Sequence, residues 1–386
     1  MIIEPMIRNN ICMNAHPQGC ELHVRQQIDY VRRKGVIPGP KKVLVIGGSA
    51  GYGLATRIVA AFGAGAGTIC VAFEREPTEK RDGSAGWYAA TAFDQQAQTA
   101  GLSAETIFAD AFSHQTRQRT IERVRELLGS LDLVVYSLAS GLRIDPDTGE
   151  QYRSVLKPLG RTYSNKTVDP MTGTLSEAEI TPASDEEAAA TVKVMGGEDW
   201  ALWINALEAA GVLANGAMTV AYSYIGPELT RPVYREGTIG RAKDHLEQTA
   251  RELDGLMQQR GGRAFVSVNK ALVTRASAVI PVVPLYLGIL YRVMKRKGLH
   301  EGCIEQIYRL FAERLYAGRV PELDEQGRIR LDDWEMREDV QAEINQIWPT
   351  VTSQNLDEVA DLEGYRQEFL QLHGFGYPQI DYSRDV

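Results

Sequence analysis

The stretch "YSYIGPELTRPVYREGTIGRAK" (222–243) contains Tyr224, Tyr234 and Lys243, whose side chains are suited to proton transfer. A tyrosine hydroxyl gives up its proton more readily when a nearby ammonium stabilises the phenolate. Tyr234 and Lys243 are nine positions apart, and nine helical steps of about 100° would direct them to opposite faces of one helix. The spacing therefore predicts that Tyr234 lies on a loop. A helix with Thr238 as its N-cap then carries Lys243 in its second turn.

The alternative interpretation of this stretch involves no chemistry. Tyrosines beside prolines can simply pack against a core, and a lysine on a helix is usually solvated. The two interpretations differ in whether a cofactor site lies nearby.

A glycine-rich segment, "GGSAGYG" (47–53), follows an apolar run that predicts a buried strand, "KKVLVIGG". Its Gly47, Gly51 and Gly53 fit G-x-x-x-G-x-G, a relative of the dinucleotide-binding fingerprint. Such glycines allow backbone N–H groups to approach a pyrophosphate at the N-terminus of the next helix. No Lys-Ser/Thr pair follows, which excludes a Walker-type phosphate loop. The alternative is a glycine turn that serves only strand–helix packing.

Acidic side chains end the next two predicted strands. Glu74 closes "GTICVAFE", where a carboxylate can accept hydrogen bonds from both ribose hydroxyls of NAD and repel the extra phosphate of NADP. Arg75 offers that phosphate a partner, so the sequence favours NAD without excluding NADP. Asp110, after the third strand, is placed to contact an adenine, and "SLAS" (137–140) ends the fourth strand beside the cofactor.

The elements that position these residues alternate between apolar runs and amphipathic segments. Further strands are predicted at "AETIFADAF", "LDLVVYSLAS", "GAMTVAYSY" and "RAFVSVNKAL", with helices between them. This alternation predicts an α/β fold, a Rossmann-like doubly wound parallel sheet with helices on both faces.

We predict a single enlarged Rossmann-type domain over residues 1–386, with its sheet and cofactor-binding core at 41–300. Residues 75–100 and 142–190 are predicted insertions, the second a hairpin or an extended excursion. Residues 301–386 are a predicted helical extension, in which 19 acidic residues outnumber 8 basic ones.

Composition limits the class of partner and the compartment. A net charge of −8 argues against nucleic-acid binding. The four cysteines lack metal-ligand spacing, so we expect no metal site, reduced thiols and a cytoplasmic protein. The start of the sequence lacks the apolar segment of a signal peptide. The apolar run 276–291 is short for a membrane span, and we predict a buried helix entered through Pro281 and Pro284.

Four cations follow that run, and we call them the basic cluster: Arg292, Lys295, Arg296 and Lys297. They are predicted to receive the phosphates of an acidic substrate at the mouth of an acyl pocket. The alternative is that they only stabilise the C-terminus of a helix.

Together, "IGGSAGYG", "YSYIG…RPVYREGTIGRAK" and "VNKALVTRASAVIPVVPLYL" resemble the large bacterial trans-2-enoyl reductases, relatives of the short-chain dehydrogenases. The resemblance extends from "MNAHPQGC" to "GFGYPQIDY". It implies a monomeric enzyme that uses NADH to reduce the trans-2 double bond of enoyl-CoA or enoyl-acyl-carrier-protein in fatty acid synthesis.

The resemblance also implies roles for individual residues. Tyr234 is the expected proton donor, Lys243 binds the cofactor ribose, and Tyr224 binds substrate. The expected NAD-binding residues are Gly47, Gly48, Ser49, Ala50, Gly51, Tyr52, Phe73, Glu74, Asp110, Ala111, Leu138 and Ala139, with Leu272, Val273 and Thr274 at the nicotinamide.

Two other functions remain open from the sequence. A carbonyl reductase on the same scaffold would use the same tyrosine, lysine and cofactor. A non-catalytic NAD-sensing module would bind NAD without turnover, although a sensor needs no proton donor. No zinc-protease motif is present.

Overall fold

The computed structural model describes residues 2–384 with the exception of 9, 276, 278, 279 and 281. Within these residues the strands are β1 (Ile7–Arg8), β2 (Ile11–Cys12), β3 (Lys42–Ile46), β4 (Gly67–Ala72), β5 (Ala104–Phe108), β6 (Leu131–Tyr136), β7 (Leu142–Ile144), β8 (Gln151–Arg153), β9 (Tyr163–Asp169), β10 (Thr174–Ile180), β11 (Leu213–Ser223), β12 (Arg263–Val268) and β13 (Ile329–Arg330).

The helices of the same residues are α1 (Pro17–Lys34), α2 (Gly51–Ile58), α3 (Ala85–Thr99), α4 (His114–Leu127), α5 (Asp185–Met195), α6 (Glu198–Ala209), α7 (Thr238–Gln258), α8 (Val283–Arg296), α9 (Cys303–Arg309), α10 (Glu338–Ile347), α11 (Leu356–Val359) and α12 (Leu362–Gln371). Helices α2 and α9 continue as π-helical turns over Val59–Gly63 and Leu310–Leu315.

Seven strands form one parallel sheet in the order β13-β12-β11-β6-β3-β4-β5. The central strands are apolar and β-branched on both faces, and Val43–Ile46 has no exposed surface, as a sheet covered on both sides requires. The chain winds outward from β3 to β5 and then returns to place β6 on the other side of β3. Ligands of doubly wound folds bind at this reversal, beyond the carboxyl ends of the strands. The predicted fold class is confirmed.

Separate apolar cores cover the two faces of the sheet. On one face α1, α2, α3 and α9 contribute side chains such as Leu54 and Phe93. On the other face α4, α6 and α7 contribute Ile121, Trp203 and Leu246. The two cores hold the strands rigidly, so that the loops at their carboxyl ends start from fixed positions.

The prediction that residues 75–100 form an insertion is wrong for most of that range. Only the loop 75–84 is additional, because α3 is the ordinary crossover helix between β4 and β5. Its sequence "AGWYAATAFDQQAQT" places small residues on the buried face, including Ala89 and Ala90. These residues allow close packing on α1, but they lack the strong amphipathic pattern that identifies a helix.

Residues 142–190 contain the predicted hairpin structure. Strands β7 and β8 pair antiparallel, and so do β9 and β10. The predicted range extends past the hairpins, since α5 begins at Asp185 with a capping box between Ser184 and Glu187.

Residues 301–386 are mainly helical, as predicted, but they also supply β13, the edge strand of the main sheet. Helices α10 and α12 pack against α8 in a third core that contains Tyr286, Val340 and Phe369. The description of this region as only a helical extension is therefore incomplete, because a two-residue strand carries little sequence signal.

The apolar run 276–291 gives a buried helix, as predicted. Helix α8 begins at Val283 with Pro284 in its first turn, where the missing N–H of proline is harmless. Pro281, the other predicted entry residue, lies outside the described residues. Among the helices that the structure describes, none has both the length and the apolar character needed to cross a membrane.

Candidate active site

The structure brings the predicted cofactor-binding residues to the carboxyl edge of the sheet. We call the loops after β3, β4, β5 and β6 the cofactor edge. Because parallel strands end at the same side of a sheet, residues far apart in sequence meet there. The loops contain Gly47, Gly48, Ser49 and Ala50; Phe73 and Glu74; Asp110 and Ala111; and Leu138 and Ala139, while Gly51 and Tyr52 begin α2.

The glycine loop leaves no room for side chains at two of its positions. Gly47 has φ +88°, and a Cβ there would lie 2.5 Å from the Ser137 carbonyl oxygen. A Cβ on Gly53 would lie 2.0 Å from the carbonyl oxygen of Gly47. The loop is thus pressed against the start of α2, whose free N–H groups suit a pyrophosphate. This arrangement fits the predicted dinucleotide.

Glu74, the predicted ribose ligand, is already held by three side chains. Its Oε1 accepts hydrogen bonds from Ser49 Oγ and from Arg275 Nη1, both at 2.7 Å, and its Oε2 accepts one from Ser84 Oγ at 2.6 Å. Sequence analysis missed Ser84 and Arg275, which lies 201 positions away. It considered Arg75 instead, whose Nε donates to the carbonyl of Asp82.

Two further loops of the cofactor edge have fixed backbones. The Asp110 carboxylate accepts from the Phe112 amide at 3.0 Å, and the Ala111 carbonyl accepts from Trp203 Nε1 at 3.1 Å. Phe73 is 82% exposed, which is unusual for a phenylalanine and suits a side chain that covers a planar ligand.

The segment after β12 contains Leu272, Val273 and Thr274, and two side chains hold it in place. The Val273 amide donates to the Tyr291 hydroxyl at 3.0 Å, and Ser277 Oγ donates to the Leu272 carbonyl at 2.6 Å. A cavity of about 380 Å³ opens beside this segment. Its lining includes Gly51, Leu272, Val273, His300 and Cys303.

Tyr234 lies on a loop ahead of α7, as its spacing from Lys243 predicts. The Tyr234 carbonyl accepts hydrogen bonds from the amides of Gly237 and Gly240, at 3.2 and 2.9 Å. A Cβ on Gly240 would lie 1.8 Å from the carbonyl oxygen of Arg235. The loop therefore folds back onto the first turn of α7, and Lys243 follows in the second turn.

The predicted cap of α7 is wrong. Gly237 is the N-cap, without a side-chain hydrogen bond, and Thr238 is the first helical residue. Thr238 Oγ1 donates to the Val155 carbonyl at 2.5 Å, and its amide donates to the Lys157 carbonyl at 3.0 Å. Thr238 thus bonds to carbonyls of residues 155 and 157 in the hairpin region and does not cap its own helix.

Burial changes both the tyrosine and the lysine. It raises the pKa of Tyr234 to about 12 and lowers the pKa of Lys243 to about 8, the latter opposed by the Glu247 carboxylate. The expectation that the ammonium lowers the pKa of the tyrosine is therefore wrong for this structure. Both groups lose hydration, and that loss dominates.

Tyr224 follows β11 and contacts Tyr234 edge-on, with ring centroids 4.9 Å apart and planes at 83°. Its hydroxyl donates to Glu335 Oε1 at 3.2 Å. We call Tyr224, Tyr234 and Glu335 the tyrosine site. Sequence analysis missed Glu335, because no local pattern connects a loop carboxylate with a strand 111 positions earlier.

The structure shows the partners of the basic cluster, whose contact with an incoming substrate stays a prediction. All four cations are paired with the acidic extension that follows them. The pairs are Lys295 with Asp361 (2.7 Å), Lys297 with Asp339 (3.1 Å), Arg296 with Glu343, and Arg292 with the carbonyl of Ala360 (3.2 Å). The excess of acidic residues in the extension thus pairs with the cations at the C-terminal end of α8.

Comparison with known proteins agrees with this geometry. The model of the trans-2-enoyl-CoA reductase catalytic region matches residues 81–316, and that of the NAD(P)H binding domain of trans-2-enoyl-CoA reductase matches residues 2–79. The chain belongs to the trans-2-enoyl-CoA reductase family. A third model of this family, the enoyl reductase FAD binding domain, matches residues 323–386.

Individual relatives of this reductase family match along the whole chain. The NADH-dependent enoyl-[acyl-carrier-protein] reductases of Flavobacterium johnsoniae and Cytophaga hutchinsonii are 56% and 57% identical over 386 residues, which cover 100% of this chain and 98% of each relative. The crystal structure of Treponema denticola trans-2-enoyl-CoA reductase in complex with NAD is 54% identical. Its TM-score is 0.96, and the match covers 100% of this chain and 98% of that one.

The residues matched by the FAD model do not fit a flavin dinucleotide in this reductase. The described part of 323–386 contains three α-helices, a short 3-10 helix and a two-residue strand, but no strand–glycine loop–helix unit for a pyrophosphate. Its Gly374 is used for packing, since a Cβ on Gly19 of α1 would lie 1.7 Å from the Gly374 carbonyl oxygen. We therefore assign no step of the reaction to a flavin.

Proposed function

We propose that Tyr234 donates the proton in the NADH-dependent reduction of the trans-2 double bond of enoyl thioesters. The chain is an oxidoreductase of fatty acid synthesis, and its product is the saturated acyl thioester. One observation carries the role of Tyr234. Its loop packs on the first turn of α7, and its ring contacts that of Tyr224. Lys243 lies in the next turn of the same helix.

NADH, when bound, supplies the hydride that adds to the β-carbon, and negative charge then develops on the thioester oxygen. A hydroxyl within hydrogen-bond distance of that oxygen stabilises the resulting enolate and supplies a proton. Burial raises the pKa of Tyr234 to about 12, so this hydroxyl carries its proton at neutral pH, and the hydrogen bond to the developing enolate is what favours its transfer.

Lys243 holds the cofactor ribose in this proposal. Since burial lowers its pKa only to about 8, the side chain remains mainly protonated at pH 7 and can donate to a ribose hydroxyl. Glu74 accepts from the other ribose, with Ser49 and Arg275 holding its carboxylate.

The remaining cofactor contacts follow the positions of the loops. The glycine loop would hold the pyrophosphate, the ends of β4 and β5 would hold the adenine, and the segment after β12 would hold the nicotinamide. The residues assigned to these contacts are Gly47, Gly48, Ser49, Ala50, Gly51, Tyr52, Phe73, Asp110, Ala111, Leu138, Ala139, Leu272, Val273 and Thr274.

We further propose a single-domain monomer that acts in the cytoplasm on enoyl groups carried by CoA or by acyl carrier protein. The free thiols of all four cysteines support a reducing compartment. The contacts of β13 with β12 and of α10 with α8 support one domain.

A spectrophotometric assay tests the function. NADH and NADPH are each incubated with crotonyl-CoA, a longer enoyl-CoA and acetoacetyl-CoA. We expect NADH oxidation with the enoyl thioesters only. Oxidation with acetoacetyl-CoA alone would indicate a carbonyl reductase, and NADH binding without oxidation would indicate a sensor.

A further inference from the structure

Glu335 is a buried carboxylate on which three parts of the molecule converge. It lies between β13 and α10 and has no exposed surface. Its Oε1 accepts from the hydroxyls of Tyr286 (2.7 Å) and Tyr224 (3.2 Å), and its Oε2 accepts from the Ala271 amide (2.7 Å). The extension thereby contacts α8, the end of β11 and the segment after β12 through one side chain.

With donors on both sides, both oxygens of the Glu335 side chain must accept hydrogen bonds. An ionised carboxylate meets that requirement, whereas a carboxamide has one acceptor oxygen and one donor NH₂ group. Burial raises the pKa of the Glu335 carboxyl, and the ammonium of Lys270, itself buried, and the hydrogen bonds oppose that shift. Three hydrogen bonds and a nearby cation are the usual means of retaining a buried charge.

The hydrogen bond to Glu335 also limits what Tyr224 can do. A tyrosine hydroxyl has one hydrogen, and that of Tyr224 is directed to Glu335. While this bond is made, Tyr224 does not donate the same hydrogen to a substrate oxygen. The Tyr234 hydroxyl makes no hydrogen bond to the residues that the structure describes.

We propose that Glu335 is a positioning residue for the reduction. By accepting the hydroxyl hydrogen of Tyr224, it holds that ring edge-on against Tyr234 and leaves Tyr234 as the donor to the thioester oxygen. This inference rests on the proposed role of Tyr234, and it adds a residue of the C-terminal extension to the determinants of catalysis.

The test is a double-mutant cycle between Glu335→Gln and Tyr224→Phe in the full-length protein, with crotonyl-CoA and NADH. Glu335→Gln leaves Tyr224 or the Ala271 amide without an acceptor, so we expect kcat to fall about tenfold. KM and the Kd of NADH, the latter from fluorescence titration, should change less than about twofold. In the Tyr224→Phe background, Glu335→Gln should lower kcat by less than about twofold, because its effect acts through Tyr224.

Tyr222→Phe is the matched control. It removes a partly buried hydroxyl from β11, two residues before Tyr224, that pairs with Thr56 at 2.6 Å, and it should leave kcat unchanged. Equal losses of kcat from Glu335→Gln in the wild-type and Tyr224→Phe backgrounds would overturn the proposal, since Glu335 would then act independently of Tyr224.

A Glu335→Gln protein that fails to fold, as judged by its melting curve, moves the test to Tyr224→Phe and Tyr286→Phe. Both remove one hydroxyl from the same carboxylate oxygen. The proposal requires a loss of kcat at least about fivefold greater for Tyr224→Phe, and equal losses contradict it. Tyr234→Phe in the same assay tests the proposed function separately. An impaired Tyr234→Phe beside an unimpaired Glu335→Gln overturns only the role of Glu335.

Discussion

The cofactor edge and the tyrosine site lie at the same end of the sheet but are built in different ways. Residues of the cofactor edge each follow a strand directly, so the strand positions them. In the tyrosine site, Tyr234 depends on a loop folded over α7, and Tyr224 depends on a carboxylate 111 positions later. The cofactor edge is formed by successive strand–loop–helix units. The tyrosine site is formed by contacts between residues distant in sequence, which exist only in the complete fold. Substitutions should therefore affect the two regions in different ways.

The largest expected effect concerns the tyrosine site. Tyr234→Phe should lower kcat about 10²-fold or more, as expected for loss of a donor to a developing oxyanion. The Kd of NADH should remain nearly unchanged, because the cofactor edge is intact. Steady-state kinetics and fluorescence titration measure the two quantities. Should Tyr224→Phe lose activity while Tyr234→Phe retains it, the roles of the two tyrosines are reversed.

A second substitution tests whether the loop over α7 positions Tyr234. Gly240→Ala places a Cβ against the Arg235 carbonyl oxygen, where it would lie only 1.8 Å away, so the loop must move. We expect kcat to fall about tenfold through misplacement of Tyr234, with NADH binding retained. Gly255→Ala on the same helix is the control, because its Cβ meets no atom within 4 Å. It should raise the free energy of unfolding by about 0.5–1 kcal/mol without a change in kcat.

Substitution in the cofactor edge should change the preference for NADH over NADPH. Glu74→Gln removes the negative charge that pairs with Arg275, and the released guanidinium can then bind the extra phosphate of NADPH. We expect the ratio of kcat/KM for NADH over NADPH to narrow about tenfold. Glu76→Gln, an exposed carboxylate of the same loop, should leave the ratio unchanged. A ratio that stays constant in Glu74→Gln would remove Glu74 from the cofactor site.

The last expected effect is one of stability, at Lys243. The pKa of this lysine is 10.5 in the unfolded chain and about 8 in the folded protein. Between these values the unfolded chain binds the additional proton, so stability rises with pH, and below pH 8 the cost of the buried charge is complete. Lys243→Met should therefore be more stable than the wild type at pH 7, by about 1–3 kcal/mol. Urea unfolding at several pH values should show this difference shrinking towards pH 10.5.

Most of the cofactor edge was predictable because its signals are short. "GGSAGYG" after an apolar strand identifies the turn, and Glu74 ends the next strand. The partners of Glu74 were not predictable, because Arg275 comes from a different part of the chain. The same applies to Glu335, whose neighbours in sequence give no indication of burial. Thr238 illustrates a related limit, since a residue typical of N-caps bonds instead to the carbonyl of Val155.

The separation between Tyr224 and Glu335 has a consequence for the newly made polypeptide. A ribosome adds about 5–20 residues per second, so roughly 6–22 s pass between synthesis of the two residues. In the later part of this interval β12 (263–268) has been made but still lacks its neighbour β13 (329–330), so it remains an open sheet edge, which favours aggregation. The apolar surface of α8 also lacks its cover from α10 and α12. The nascent chain is therefore most in need of chaperones after β12 has been made and before β13, α10 and α12 have left the ribosome.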